Sequence, residues 1–172
     1  MRIIEYKREQ ALAYARRWAL SRNPLYYDFS SIGGDCTNFI SQCVFAGSKQ
    51  MNYEKDKGWY YSSLTDRAPA WTGVEFFYEF ITKNEGLGPF AIMVNKNQIR
   101  PADVIQLGDQ NGNFYHAAIV TGIFEDEILV AAHTFDTLDR PLSTYNFNRV
   151  RYLSIQGVRT NWAIKKVHGG FL

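Results

Sequence analysis

Apolar residues recur at helical spacing in three stretches of the first hundred residues. The spacing predicts a first amphipathic helix over roughly residues 5–22, which Asn23-Pro24 ends. A second helix is predicted from Cys36 to Gly47, with Asp35 at its N-cap. A third begins at a Thr72-x-x-Glu75 capping box and ends near Asn84. The first part of the chain is therefore predicted to be helical.

From Pro101 onward the apolar pattern becomes that of β-strands. Strands are predicted over residues 103–107, 114–124 and 128–134, with two weaker candidates over 149–155 and 157–165. Short polar turns separate the first three, which favours antiparallel pairing. Helices followed by an antiparallel meander predict the α+β class, and we expect one domain over residues 1–172.

Composition excludes several classes of function. The 172 residues are 46% hydrophobic and 21% charged, with a formal net charge of +2, which is typical of a globular protein. No run of basic residues predicts binding to nucleic acid or to a membrane surface. The first residues lack the apolar core of a secretory signal. The chain as written is therefore expected to be cytoplasmic, whereas a trimmed chain would leave secretion or cell-wall association open.

Cys36 is the candidate nucleophile. It follows Gly33-Gly34-Asp35 and falls in the first turn of the second predicted helix, where the helix dipole and free backbone N–H groups favour a thiolate. Cys43 lies on the apolar face of the same helix and is predicted to be core. Seven residues of helix separate the two sulfurs by about 10 Å, which is too far for a disulfide.

A cysteine nucleophile needs a base, normally a histidine that the fold brings close. His116 opens the second predicted strand, and His133 lies near the end of the next one. If these strands form a hairpin, both histidines lie near its open end, and His133 could orient His116 as the third member of a triad. The third histidine, His168, is expected to be exposed in the C-terminal tail.

The sequence Gly-Gly-Asp-Cys-Thr-Asn-Phe-Ile-Ser-Gln at residues 33–42 resembles the signature of the putative amidase domain family. That family belongs to the wider papain-like set that includes the NlpC/P60 cell-wall peptidases. The resemblance runs from about Tyr14 to Leu142. It includes four further motifs, which are in chain order Asn23-Pro24-Leu25-Tyr26, Pro101-Ala102-Asp103, His116 to Val120, and His133-Thr134-Phe135-Asp136. Ala102 stands where the family usually has glycine.

The resemblance implies a papain-like, NlpC/P60-type α+β fold and a cysteine amidohydrolase that needs no cofactor. Cys36 would be the nucleophile and His116 the general base and then the general acid. His133 would be the polar third residue, with Asp136 the weaker alternative. Tyr26, or alternatively Tyr27, matches the position of an oxyanion donor in the NlpC/P60 relatives.

Two further residues are candidates near that site. Asp35 caps the helix beside the nucleophile. Trp59 is the candidate for substrate binding, in an aromatic stretch that could equally cover the core.

The alternatives differ in class. Cys36, His116 and His133 could bind zinc, although no Cys-x-x-Cys or His-x-x-x-His spacing supports it. The cleft could belong to a non-catalytic module that binds peptides or glycans, or the thioester could acylate an amine or alcohol. The expected partner is a peptide or small amide substrate. The sequence does not choose between cell-wall peptides and intracellular amides, and it leaves the oligomeric state open.

Overall fold

The computed structural model describes residues 1–162 and places four helices before most of the sheet. Their bounds are α1 Arg8–Trp18, α2 Cys36–Ser48, α3 Pro69–Thr72 and α4 Val74–Lys83. None of these helices is long and apolar enough to cross a membrane.

Within residues 1–162, seven strands form one antiparallel sheet. They are β1 Arg2–Ile4, β2 Gly88–Val94, β3 Val104–Gly108, β4 Phe114–Phe124, β5 Glu127–Ala132, β6 Thr137–Pro141 and β7 Arg149–Thr160. The strand order is β1-β7-β3-β4-β5-β6, and β2 also pairs with β7. The predicted α+β class is therefore confirmed at this level: a mostly antiparallel open sheet carrying a few helices.

Each face of the sheet buries its own apolar cluster, because side chains alternate along a strand. Val104 and Ile119 are paired across β3 and β4 and belong to the first cluster, together with Phe39 of α2. Their neighbours Ile105 and Ala118 are also paired and belong to the second cluster. The helix that carries Cys36 therefore packs on the first face.

The helix α2 is buried along almost its whole length, with Phe45 its one partly exposed residue. A helix enclosed on all sides is the usual position for a sequence that is apolar around its circumference. Its polar side chains are satisfied internally: Ser41 accepts a hydrogen bond from Trp59 and donates one to the carbonyl of Trp71. The first residue of α2, Cys36, is thereby held on a rigid element.

The second predicted helix and the long strand 114–124 agree closely with α2 and β4. The first helix is shorter than predicted, and the two strands predicted after residue 148 are one continuous strand, β7. No capping box forms at Thr72, because α3 ends there and Gly73 is the N-cap of α4. The sequence pattern missed β1, β2 and β6.

A buried ion pair joins the start of α1 to the start of β3. The Asp103 carboxylate is fully buried, lies 2.8 Å from the Arg8 guanidinium, and accepts hydrogen bonds from the backbone N–H groups of Arg100 and Ile155. The preceding residue, Ala102, has a positive φ of 69°. That conformation is one that glycine adopts most readily, so the backbone agrees with the glycine that the resemblance leads one to expect at this turn.

Asp103→Asn should lower the free energy of unfolding by about 3 kcal/mol, because it removes one partner of a buried pair and puts an amide donor where only acceptors fit. The matched control is Asp139→Asn, which removes an exposed pair with Arg16 and should cost no more than about 1 kcal/mol. Urea denaturation at pH 7 measures both. Equal losses would show that the Arg8–Asp103 pair does not anchor the sheet.

Candidate active site

Cys36 begins α2 directly after a tight loop. Gly33 and Gly34 have φ values of 86° and 103°, a backbone conformation that side-chain-bearing residues rarely adopt. The loop brings the chain to the first turn of α2, where Cys36 is 7% exposed. Its sulfur lies against the backbone of Ala117 on β4 and 3.8 Å from the hydroxyl of Thr37.

Burial raises the pKa of the Cys36 thiol, and the nearby Asp35 carboxylate raises it further. The Ala117 backbone and both the hydroxyl and the backbone of Thr37 lower the same pKa, but burial has the larger effect. The sequence had predicted a thiolate at this helix start. In the structure the resting form of Cys36 is the protonated thiol. Cys43 is fully buried in the core, as predicted.

His116 lies opposite Leu107 in the β3–β4 ladder, on the face of the second cluster. Its ring stacks on Tyr145 with centroids 5.7 Å apart. Burial, followed by the positive charge of Arg140, lowers the pKa of His116 to about 4. His116 is therefore a neutral imidazole at pH 7, and its buried Nε2 atom has no hydrogen-bond partner within residues 1–162.

The predicted pair of Cys36 and His116 is not joined by a hydrogen bond among the described residues. The Cys36 thiol does contact the backbone of Ala117, which is the residue directly after His116 in the sequence. The ladder to β5 begins only at Ile119, so β4 is unpaired on that edge beside Ala117. The structure thus places Cys36 at an open edge of β4 and the His116 ring on the far face.

Asp35 occupies the N-cap position but does not cap the helix through its side chain. Its Oδ1 atom accepts hydrogen bonds from the backbone N–H of Phe29 and the amide of Asn38, each at 2.8 Å. Its Oδ2 atom lies 2.5 Å from Nδ1 of His133. The carboxylate is fully buried and joins three segments, so the predicted capping role is wrong.

His133 is also placed differently from the predicted triad. Nδ1 faces Asp35, and Nε2 lies 2.8 Å from the carbonyl oxygen of Trp18, the last residue of α1. Both ring nitrogens are therefore engaged, and neither is free to orient His116 in this structure. His133 is 1% exposed and belongs to the support of the Cys36 loop.

Asp136, the alternative third residue of the triad, forms an ion pair with Arg22. Its two carboxylate oxygens accept hydrogen bonds of 2.7 and 3.0 Å from the Arg22 guanidinium. Arg22 also lies 3.2 Å from Asp28 and 3.6 Å from Asp35. Asp136 is thus part of a charged cluster behind the loop rather than a partner of His116.

Two aromatic candidates have different positions. Trp59 is fully buried, donates a hydrogen bond to Ser41 and packs on Trp71, so of its two expected roles the structure shows core packing and not the lining of a cleft. Tyr26 is half-buried and stacks on Trp71, with ring centroids 5.9 Å apart. Burial raises the pKa of Tyr26 to about 12, so its hydroxyl stays protonated at neutral pH.

Sequence reasoning missed the groups that support the loop: Arg22, Asn38 as a ligand of Asp35, and the Trp18 carbonyl. Arg22 directly precedes the Asn23-Pro24 motif, and that position could have marked it as a candidate from the sequence. No sequence pattern marks a backbone carbonyl. His168 lies outside the described residues. Within residues 1–162, no three His, Cys, Asp or Glu side chains are grouped as metal ligands.

Comparison with known proteins identifies the family. The model of the putative amidase domain matches residues 5–155, which is most of the chain. The protein belongs to the putative amidase domain family.

Two relatives of this amidase domain come from Bacillus subtilis (strain 168). The uncharacterized protein YhbB is 33% identical over 140 residues, covering 79% of this chain and 44% of the relative. The uncharacterized protein YjcM is 29% identical over 144 residues, covering 79% of this chain and 32% of the relative. The chain therefore spans less than half the length of either. No solved structure is significantly similar to the chain.

Alkylation of Cys36 in this amidase domain should follow the pH dependence of a buried thiol. In a Cys43→Ser background, we expect the iodoacetamide rate to rise about tenfold per pH unit from pH 6 to 8, because only the thiolate reacts. The adduct is quantified by intact-mass spectrometry. A rate that is constant across this range would instead indicate a thiolate already paired with an imidazolium.

His116 should make the fold sensitive to acid. Its pKa is 6.5 when exposed in the unfolded chain and about 4 when folded, so the unfolded state binds the proton first as pH falls. Between pH 7 and pH 4 this should remove about 3 kcal/mol of stability that is fully present above pH 6.5.

His116→Gln should abolish that component. Urea denaturation of both proteins at pH 7 and at pH 4 tests this, since the wild type should lose about 3 kcal/mol more than the variant. Parallel losses would mean that the His116 ring is not buried as a neutral group.

Proposed function

We propose that this protein is a cysteine-dependent hydrolase of amide or peptide bonds, with Cys36 as the nucleophile. Membership of the putative amidase domain family supports hydrolysis of an amide. The observation that carries the choice of residue is the position of Cys36, the first residue of a buried helix behind a two-glycine loop. Free N–H groups in the first turn of a helix can stabilise the oxyanion that forms on attack.

His116 is the proposed base. A pKa of about 4 leaves its imidazole neutral and able to accept a proton throughout the neutral range. In the structure the His116 ring lies on the face opposite Cys36, so the proposal requires the start of β4 to change its backbone conformation until the ring faces the thiol. The contact of the thiol with the backbone of Ala117, the residue after His116, supports this choice of base.

With a protonated thiol and a neutral imidazole, proton transfer accompanies attack rather than preceding it. His116 takes the proton from sulfur as sulfur bonds to the amide carbon, then gives it to the departing amine. Water, deprotonated by the same imidazole, attacks the thioester. The carboxylic acid leaves and the thiol recovers its proton. A second oxyanion donor is proposed at Tyr26, whose hydroxyl remains protonated.

A papain-like fold related to NlpC/P60 is part of this proposal, supported by the order of the Asp-Cys-Thr, Pro-Ala-Asp and His-led motifs in the sequence. Peptides of bacterial cell-wall stems are the proposed substrates on the same grounds. Because the chain covers less than half of YhbB and YjcM, the remainder of such proteins could select the substrate.

Cys36→Ala should abolish hydrolysis of any amide that the wild type cleaves in a panel of amino-acid and dipeptide p-nitroanilides, since no other group can form the thioester. Cys43→Ser is the matched control and should keep activity within about twofold, because Cys43 is buried in the core and takes no part in the proposed chemistry. Release of p-nitroaniline at 405 nm is the measurement. Activity that survives Cys36→Ala, or binding of these amides without turnover, would reject the hydrolase.

Adding glycinamide as an acceptor separates hydrolysis from acyl transfer. A hydrolase should release the free acid as its main product. A transferase would form the acyl-glycinamide, which mass spectrometry detects. Dominance of that product would contradict water as the acceptor.

A further inference from the structure

Every contact that the His133 ring makes suits a cation. Nδ1 faces a carboxylate oxygen of Asp35 at 2.5 Å, and Nε2 faces the carbonyl oxygen of Trp18 at 2.8 Å. The ring face stacks on Phe39, with centroids 4.0 Å apart and planes inclined by 16°. An aromatic face attracts a positive charge placed over it. The ring is 1% exposed, so these contacts are made away from bulk solvent.

The hydrogen bonds limit where the protons are. A carbonyl oxygen only accepts, so Nε2 must carry a hydrogen. At 2.5 Å there must also be a hydrogen between Nδ1 and the Asp35 oxygen. It belongs either to an imidazolium paired with a carboxylate or to a neutral imidazole that accepts from a protonated carboxyl group.

The surroundings of Asp35 favour the ionised carboxylate. Its other oxygen accepts two hydrogen bonds, from Phe29 N–H and Asn38, and such bonds stabilise the charged form. Within residues 1–162, Arg22 is the other charged side chain paired with Asp35, and Asp28 and Asp136 pair with Arg22 in turn. Arg22 lies 3.6 Å from Asp35, and its own charge is also met by Asp28 and Asp136.

We propose that His133 is a buried imidazolium and that its ion pair with Asp35 positions Cys36. Asp35 is the residue directly before the nucleophile, and its backbone N–H donates to the hydroxyl of Thr134, the residue directly after His133. Two contacts therefore hold Asp35, the neighbour of Cys36: the ion pair with His133 at its side chain and the hydrogen bond to Thr134 at its backbone. The positioning role rests on the proposed function, whereas the charge of His133 does not.

Nitrogen-15 spectra of the full chain test the charge directly. At pH 7.5 both ring nitrogens of His133 should show one-bond couplings to hydrogen, assigned by their loss in His133→Gln. His116 serves as the neutral reference in the same spectrum and should show one such coupling at most. A single protonated nitrogen on His133 would overturn the proposal, whether or not the protein hydrolyses amides.

The pH profile of Cys36 alkylation tests the link to the nucleophile. In the Cys43→Ser background, His133→Gln should leave an unpaired carboxylate beside Cys36. It should slow the iodoacetamide reaction about tenfold at pH 8 by moving its profile toward alkaline pH. Adding Asp35→Asn removes that charge and should restore the profile. If Asp35 were instead protonated, His133→Gln would not move the profile.

Phe39→Leu is the packing control for this experiment. It removes the stacked ring without changing a charge, so it should lower the urea midpoint and leave the pH profile in place. A shift of the profile by Phe39→Leu equal to that of His133→Gln would assign the effect to packing and overturn the proposal. Faster alkylation of His133→Gln, as expected of a loosened loop, would overturn it as well.

Discussion

The candidate site depends on one buried carboxylate, that of Asp35. An ionised group without water is stable only when hydrogen bonds and opposite charges replace its hydration. Asp35 obtains these from Phe29 before the glycine loop, from Asn38 in the first turn of α2, and from His133 after β5. Three segments far apart in sequence must therefore meet around it. The position of Cys36 follows from that requirement, because it is the next residue.

The burial that organises the site also keeps Cys36, the proposed nucleophile, as a protonated thiol. The helix start and the nearby backbone favour a thiolate, but loss of water around the sulfur has the larger effect. The lowered pKa of His116 acts in the same direction, since an imidazole that resists protonation cannot form a resting ion pair with the thiol. In the proposed mechanism, the Cys36 thiol becomes reactive only when substrate binding or a rearrangement of β4 brings the His116 ring to it.

The spacing of apolar residues in the sequence was enough to predict the helices and strands that are amphipathic or enclosed by the rest of the domain. The apolar spacing over α2 and the long run of β4 predicted both closely, because each buries a face against the rest of the domain. The edge strands β1 and β6 escaped prediction because pairing to longer neighbours, rather than their own pattern, makes them strands. Trp59 illustrates the same limit: only the fold shows that a tryptophan in a polar stretch reaches the core.

The His-Thr-x-Asp motif shows how sequence spacing can be right while the assigned chemistry is not. His133 pairs with the Asp35 side chain, Thr134 accepts the Asp35 backbone N–H, and Asp136 binds Arg22. Thr134 and Phe135 both have φ near 60°, a conformation that costs energy in residues with side chains.

With this backbone, His133 faces the buried Asp35 carboxylate, Thr134 accepts from the Asp35 backbone, and Asp136 faces Arg22, the arginine beside Asp35. Phe135, the position that the motif leaves free, is 89% exposed and makes none of these contacts. The motif therefore specifies a support for the loop before Cys36, and this explains why its histidine is not beside His116.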